Sequence, residues 1–268
     1  HHNALDMDLF LRIAPELYLK RLLIGGLERV YELNRSFRNE GVSTRHNPEF
    51  TMLEAYEAFV DYNDTMSLVE DLVRAISRAV LGSLQFEIGG RPVDLTQPFP
   101  RITMFEAIER ATERDLSKTW EEQDDDGLRS AAGELGVRLD EQWGPGKVLA
   151  EIFEETAEKT LVEPTFVAGF PKDVSPLAKD HRSIQGFTEQ SDLIIGGLEI
   201  APIYSELNDP LEQRARFEEE ARLQAGGDEE AESVDEDYIR ALEYGLPPTG
   251  GLGVGIDRLV MLLTGATA

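Results

Sequence analysis

The chain has 268 residues, no cysteine, 23 glycines and 13 prolines, and 41% of it is hydrophobic. That composition excludes a disulfide-stapled module, a thiolate zinc site, a collagen-like repeat and a wholly disordered chain. A formal charge of −26, from 52 acidic against 26 basic residues, lacks the basic footprint of a nucleic-acid binder and leaves only local arginines to meet a polyanion.

No apolar run approaches the roughly 20 residues that span a bilayer, and no basic-plus-apolar leader is visible. A cytoplasmic protein without membrane contact from this segment is the expectation. Part of the acidic excess lies between Glu218 and Asp237 and reads as a solvated helical face and loop.

Residues 1–60 read as a packed start, with Leu9, Leu11, Ile13, Leu17 and Leu19 as apolar positions and Gly25-Gly26 as a turn. Leu27 to Phe37 reads as a strand, Gly41 to Pro48 as a polar loop, and Phe50 to Tyr62 as an extended segment mixing aromatics with carboxylates. Asp64 to Leu84 has helical periodicity, with Gly82 near its end. Phe86 to Val93 reads as a hairpin turning at Gly89-Gly90.

From Thr103 to Leu161 the pattern is helical, with candidates at Met104–Thr112, Gly127–Leu135 and Lys147–Leu161. This divides the chain into residues 1–102, a helical insertion at 103–161, and residues 162–268. Residues 162–182 read as a proline-bearing connection. A second Gly-Gly hairpin follows at Asp192–Ile200. Helices are expected from Pro210 to Leu223 and from Asp235, as N-cap, to Tyr244. The chain closes on a glycine-rich turn and an apolar helix, Ile256–Leu263.

Three groupings can carry chemistry. In a two-residue hairpin turn Ile194 pairs with Glu199, which puts Asp192 and Glu199 on one face as diagonal neighbours, roughly 7–8 Å apart at the backbone. Two carboxylates at that spacing hold a hard divalent cation and leave sites open for phosphate oxygens; the alternative is a pair of exposed acids on an edge hairpin. Next, Phe50, Met52, Glu54 and Tyr56 share a face, and if their strand pairs with the preceding one, Arg38 and Glu40 join them. Arginine binds phosphate in bidentate fashion and an aromatic ring stacks on a base. A plain salt-bridge ladder does not explain Phe50 and Tyr56 on that face. Third, Gly250 to Arg258 offers close backbone approach and one arginine at a helix start. It fails as a P-loop, having no Lys-Ser/Thr, and is weak as a dinucleotide fingerprint. The four histidines have no zinc spacing, and no Gly-x-Ser-x-Gly elbow supports a hydrolase.

Phe37-Arg-Asn-Glu-Gly-Val-Ser-Thr-Arg-His-Asn-Pro-Glu-Phe-Thr-Met-Leu-Glu54 resembles motif 2 of the class II aminoacyl-tRNA synthetases, and Gly253-Val-Gly-Ile-Asp-Arg-Leu259 resembles their motif 3. His1 to Arg21, Tyr204-Ser-Glu-Leu-Asn-Asp209 and Ala241-Leu-Glu-Tyr-Gly-Leu-Pro-Pro248 are similar to the lysyl-tRNA synthetase branch. The resemblance covers essentially the whole chain. It implies an α+β fold, an antiparallel β-sheet flanked by helices, with a helical insertion between motifs 2 and 3. It also implies ATP-dependent formation of lysyl-adenylate and transfer to tRNA(Lys).

By residue match, Arg38 would grip the α-phosphate of ATP and Arg258 the γ-phosphate. Phe50 would stack on adenine, with Glu40 and His46 nearby. Asp192 and Glu199 would bind Mg2+. Glu16, Glu54, Tyr56, Tyr204 and Glu206 would line the amino-acid pocket, Glu206 meeting the lysine ε-ammonium, because a desolvated cation needs a paired carboxylate.

The match departs from the family at four points. Pro202 and Ile203 stand where the family has Asn and Gly, and are expected beside the pocket. Gln190-Ser191 replaces Arg-Phe. Motif 1, which builds the dimer interface in this class, is expected upstream of His1, so a homodimer depends on it. No anticodon-binding domain is recognised. One alternative function is a paralogous amino-acid-activating domain serving a non-ribosomal acceptor, as in lysyl-phosphatidylglycerol synthesis, or one with altered specificity. A second is a non-catalytic relative that only binds a nucleotide or a partner, against which the full set Arg38, Glu40, Asp192, Glu199 and Arg258 speaks.

Overall fold

The structure is a computed structural model that describes residues 1–39, 47–225 and 234–266. Its helices are α1 (Glu16–Ile24), α2 (Tyr62–Leu81), α3 (Met104–Thr112), α4 (Ser117–Glu121), α5 (Asp125–Glu134), α6 (Pro145–Thr156), α7 (Pro210–Ala225), α8 (Glu236–Glu243) and α9 (Ile256–Thr264). Its strands are β1 (Arg29–Phe37), β2 (Glu49–Ala58), β3 (Gln85–Ile88), β4 (Arg91–Asp94), β5 (Arg101–Thr103), β6 (Thr165–Ala168), β7 (Gln190–Ile195), β8 (Leu198–Ser205) and β9 (Thr249–Gly255).

Local sequence chemistry sets most boundaries. The Asp61 carboxylate caps α2 by accepting from the backbone of Asn63 and Asp64, while the Asp64 side chain accepts from the Asp61 N–H. Gly82 ends that helix at a φ of 69°, a left-handed conformation that costs glycine little. Thr103 and Glu106 form the same reciprocal cap on α3, as the pattern Thr-x-x-Glu requires.

The main sheet has seven strands in the order β1-β2-β9-β8-β7-β6-β5. It is antiparallel except for the parallel pair β5–β6. β3 and β4 make a separate hairpin at the Gly89-Gly90 turn. One face of the sheet is covered by α2 and α9. There Val69, Val73, Leu259 and Leu262 pack with Leu193, Ile203, Leu252 and Val254.

The other face carries two separate helical clusters. Toward β1 and β2, α1 and α8 pack through Leu19, Leu23, Tyr238, Ile239 and Leu242 against Tyr56 and Ala58. Toward β6 and β7, α3, α5 and α6 pack through Ile108, Leu128, Leu149 and Phe153 against Val167 and Ile194. The centre of this face, on β2, β9 and β8, lies between the two clusters.

Several sequence expectations are corrected here. Leu9, Leu11 and Ile13 are exposed and only Leu19 of the first apolar set is fully buried, so residues 1–13 are not a packed start. The segment 162–182 contains strand β6, a four-residue strand buried between β5 and β7; at that length it carries too little periodicity to read. The helix expected to reach Leu161 stops at Thr156 and continues as a 3-10 turn, Glu158–Thr160.

The glycine-rich stretch is no turn. It is strand β9, at the centre of the sheet. Glycine is tolerated in a central strand where a neighbour occupies the volume of the missing side chain. A Cβ at position 250 would stand 2.3 Å from Thr65 Oγ1, and one at 251 would stand 1.8 Å from Glu206 Oε1.

Candidate active site

β1 and β2 pair in the register Glu32↔Glu54, Asn34↔Met52 and Ser36↔Phe50. Alternation then sorts the charges. Arg29–Glu57 at 2.7 Å and Arg35–Glu49 at 2.9 Å form a salt-bridge ladder on the face away from the trough. Phe50, Met52, Glu54 and Tyr56 point to the opposite face, which is the trough between the helical clusters. The chain leaves β1 with the Arg38 N–H donating to the Pro48 carbonyl at 2.9 Å. This returns the Arg38 guanidinium over the Phe50 ring, 5.2 Å from its centroid.

The Arg38 Nε and the Asn34 Nδ2 are buried and have no hydrogen-bond partner among the described residues. Two orphan donors on one face, beside an aromatic ring, present unsatisfied hydrogen-bonding capacity to an acceptor-rich ligand. Glu40 and His46 lie outside the described residues.

The middle of the trough is acidic. Glu54 is 5% exposed and accepts from the Tyr56 hydroxyl at 2.9 Å. Its pKa is pushed up to about 7, by burial first and then by Glu16, against the pull of Tyr56 and Arg38. Glu206 follows β8, its N–H bound to the Thr249 carbonyl at 2.8 Å. Burial and Glu16 lift its carboxyl to about 7, opposed by Lys20. Lys20 is completely buried and bridges Glu16, at 2.5 Å, and Glu206. Burial alone would lower the Lys20 pKa; those two carboxylates reverse the sign and hold it above its ordinary value. Burial raises the Tyr56 and Tyr204 hydroxyls well above theirs, with the surrounding acids adding to it. Glu16, Glu54, Tyr56, Tyr204 and Glu206 are therefore one electrostatic unit.

On β7 and β8 the turn pairs Ile195 with Leu198 and Ile194 with Glu199. Asp192 is buried, and burial together with the nearby Glu199 holds its carboxyl well above the usual range. Gln190 Nε2 donates to Asp192 Oδ1 at 3.2 Å, so Gln190 reaches the acidic pair directly. Ser191 points to the opposite face, its Oγ buried and unpartnered among the described residues. Arg258, at the start of α9, donates to the Glu199 carbonyl at 2.9 Å and lies 3.5 Å from its carboxylate. A buried acid raised by a second acid fits a divalent cation, because the cation supplies the missing counter-charge. Among the described residues no three His, Asp or Glu side chains converge as metal ligands. The pair would supply two oxygens and leave the remaining positions to water or phosphate.

Ile203 is not in the trough. It is fully buried, pairs with Ser191 and Leu252, and packs on the α2/α9 side. Pro202 is on the trough face, its Cγ 3.6 Å from where a Cβ on Gly253 would stand. Sequence reasoning missed Lys20 and Asn34. The signal for Lys20 was its place four residues after Glu16, one helical turn on; Asn34 has only its alternation with Ser36 and Arg38.

The whole chain, residues 1–268, matches the family model for class II tRNA synthetases (D, K and N). It is 55% identical over 268 residues to a lysine–tRNA ligase of Xanthomonas oryzae pv. oryzae, covering 100% of this chain and 53% of the relative. It is 54% identical over 264 residues to the lysine–tRNA ligase of Carboxydothermus hydrogenoformans, covering 98% and 54%. Against the lysine–tRNA ligase of Porphyromonas gingivalis it is 51% identical over 265 residues, covering 99% and 45%. The chain thus spans about half the length of the curated relatives it matches.

Proposed function

The chain belongs to the class II tRNA synthetases of the D, K and N group, and from that premise we propose that it activates lysine with ATP and passes the lysyl group to tRNA(Lys). The observation that carries this reading is the single trough that has orphan donors and a stackable ring on β1 and β2, a carboxylate pair with Asp192 buried on β7 and β8, and Glu206 beyond the far end of β8. The relatives' names favour a tRNA acceptor over a non-ribosomal one.

In the proposed reaction a carboxylate oxygen of lysine attacks the α-phosphorus of ATP. The bond from that phosphorus to the bridging β-oxygen breaks, and pyrophosphate leaves. Arg38 holds the α-phosphate and Phe50 takes the adenine face, with Glu40 and His46 assigned nearby from the motif alone. Arg258 meets the γ-phosphate. Asp192 and Glu199 would hold Mg2+, which supplies charge neutralisation of the polyphosphate. Glu16, Glu54, Tyr56, Tyr204 and Glu206 bind the amino acid, Glu206 pairing with its ε-ammonium. The rate gain is positioning plus charge stabilisation.

Three finer points belong to the same reading. Residues 103–161 are an insertion between the two parts of the catalytic core, 1–102 and 162–268, which the separate cluster of α3, α5 and α6 supports. The active form is a homodimer. That is supported by β1, a sheet edge whose outer face exposes Tyr31 and Leu33, surface that a second copy would cover. The protein works in the cytoplasm; no helix among the described residues is long and apolar enough to cross a membrane.

ATP–pyrophosphate exchange over a panel of amino acids tests the activity. Exchange confined to lysine and lost in Arg258→Ala supports it. Exchange with another amino acid, or none from the full-length protein carrying these residues, overturns it.

A further inference from the structure

Lys20 is the one lysine of the chain whose side chain is wholly buried among the described residues. It sits behind the trough. Its ammonium joins a carboxylate one turn back on α1 to a carboxylate that follows β8, so it ties a helix to the floor of the pocket. The two oxygens of Glu206 have different surroundings. Oε2 is bound by Lys20. Oε1 fills the space over Gly251, 1.8 Å from where a Cβ would be and beside the Tyr56 ring. The carboxylate is therefore held from the rear and presents its other oxygen to the trough.

Resting on the functional reading above, we propose that Lys20 is a positioning residue for amino-acid recognition: it orients Glu206 and sets the pocket's charge so that one alkylammonium group is bound. With all three groups ionised, Glu16 and Glu206 carry two negative charges and Lys20 one positive, which leaves one unit for an incoming ammonium. Without Lys20, the buried Glu206 would face the half-buried Glu16 with no counter-charge, and Glu206 would hold its proton to a higher pH. The other groups around Lys20 and Glu206 do not replace the lost charge. Glu54 is an acid, Tyr56, Tyr204 and Tyr238 are hydroxyls raised by burial, and Arg21 is engaged by Asp235 at 3.2 Å and by the Tyr238 ring at 5.6 Å.

Lys20→Met keeps an unbranched side chain one atom shorter and removes the charge. In the full-length protein carrying these residues, the lysine KM of ATP–pyrophosphate exchange is measured from pH 6.5 to 8.5. At pH 7 the variant's KM should rise roughly tenfold for each unit by which the Glu206 pKa climbs, with the KM for ATP unchanged. The ratio to wild type should fall as pH rises, because Glu206 then ionises without help. A merely structural role would raise the lysine KM by the same factor at every pH, or raise both KM values together, and either result overturns the proposal. Should Lys20→Met not fold, Glu16→Gln reads the same coupling with opposite sign. Removing the neighbouring acid should move the pH midpoint of the lysine KM downward, and no downward movement overturns it. A wild-type protein with no lysine-dependent exchange would overturn both this proposal and the function it rests on; a wild type that exchanges beside a variant with a parallel profile overturns this one alone.

Discussion

Asp192 pairs with Pro202, one residue beyond the partner that the hairpin turn alone would assign. The turn sets Ile195↔Leu198 and Ile194↔Glu199, but between Leu193 and Ile194 the ladder shifts, and Leu193 pairs with Ala201. A one-residue shift exchanges the two faces of everything that follows. Ile200 and Ala201 are both buried on the α2/α9 side, the mark of the bulge. Beyond it Pro202, Tyr204 and Glu206 serve the trough, and Ile203 serves the core.

The two family departures therefore separate. Ile203→Ala should cost about 2–5 kcal/mol of stability, as a large-to-small change in a packed core does, and leave amino-acid selectivity unchanged. Pro202→Asn should change the unfolding free energy by no more than about 1 kcal/mol, the scale of a proline change at a compatible backbone position, and alter the KM for lysine. Urea unfolding and exchange kinetics on the two variants check this. A selectivity change from Ile203→Ala would mean that the bulge is misplaced.

Much of this was legible in the sequence and some was not, for physical reasons. The turn residues, the Asp235 cap and the long amphipathic helices were readable, because they are local: Gly82, Gly89-Gly90, Gly196-Gly197 and Asp235 act within a few residues, whereas the Asp61 cap of α2 was not read. The β1–β2 face was readable from alternation, which brought Arg38, Phe50, Glu54 and Tyr56 together. The bulge was not, because nothing in Leu-Glu-Ile-Ala-Pro-Ile says which residue is unpaired. β9 was misread because its glycines are set by what its neighbours need, namely the side chains of Thr65 and Glu206, far away in sequence. Leu9, Leu11 and Ile13 looked like core because apolar identity does not say whether a partner surface exists.

Arg38 and Phe50 should act together on the nucleotide. Phe50→Leu keeps an apolar body but removes the stacking face and should weaken ATP by about 1–3 kcal/mol. Arg38→Ala should lower kcat/KM for exchange by at least about a hundredfold, since a charge-stabilising donor is lost. Equal, small effects from both would mean that Arg38 only packs on the ring.

The acidic pair predicts a metal requirement. Asp192→Asn and Glu199→Gln should each raise the Mg2+ concentration for half-maximal exchange by about ten- to a hundredfold, with rate partly recovered at high Mg2+. Titrating MgCl2 at fixed ATP checks this. Unchanged Mg2+ dependence in both variants would remove the pair from the metal site.

Glu54 trades stability for function. Its folded pKa, about 7, is above its ordinary 4.5. The folded state therefore binds this proton more tightly than the unfolded chain. Ionisation at Glu54 costs stability as pH rises from about 4.5, and the cost is complete above about 7, on the order of 3 kcal/mol in all. Glu54→Gln should stabilise the protein at pH 8 by up to that amount and do little at pH 4.5, while amino-acid binding weakens. Thermal melts at the two pH values decide it; equal shifts at both would show that Glu54 is not strained by its charge.

Gly251 gives the sharpest test of the pocket floor. A methyl group there would overlap Glu206 Oε1 at 1.8 Å and meet Tyr56 Cδ1 at 2.9 Å. Its backbone is otherwise ordinary strand, paired to Tyr56 and Tyr204, so Ala is conformationally allowed, and the conflict is with the Glu206 carboxylate first and the edge of the Tyr56 ring second. Gly251→Ala should push Glu206 off its seat and raise the lysine KM by at least about tenfold, an order set by loss of one charge-assisted hydrogen bond, with ATP binding spared. Gly253→Ala is the control on the same strand. Its methyl would meet the Met52 Cε at 3.2 Å, the end of a flexible side chain, and Pro202 at 3.6 Å, and no carboxylate. It should change the lysine KM much less. Equal losses from the two variants would show that β9 tolerates no side chain anywhere along the trough, and that the fit of Glu206 over Gly251 has no special part in recognition.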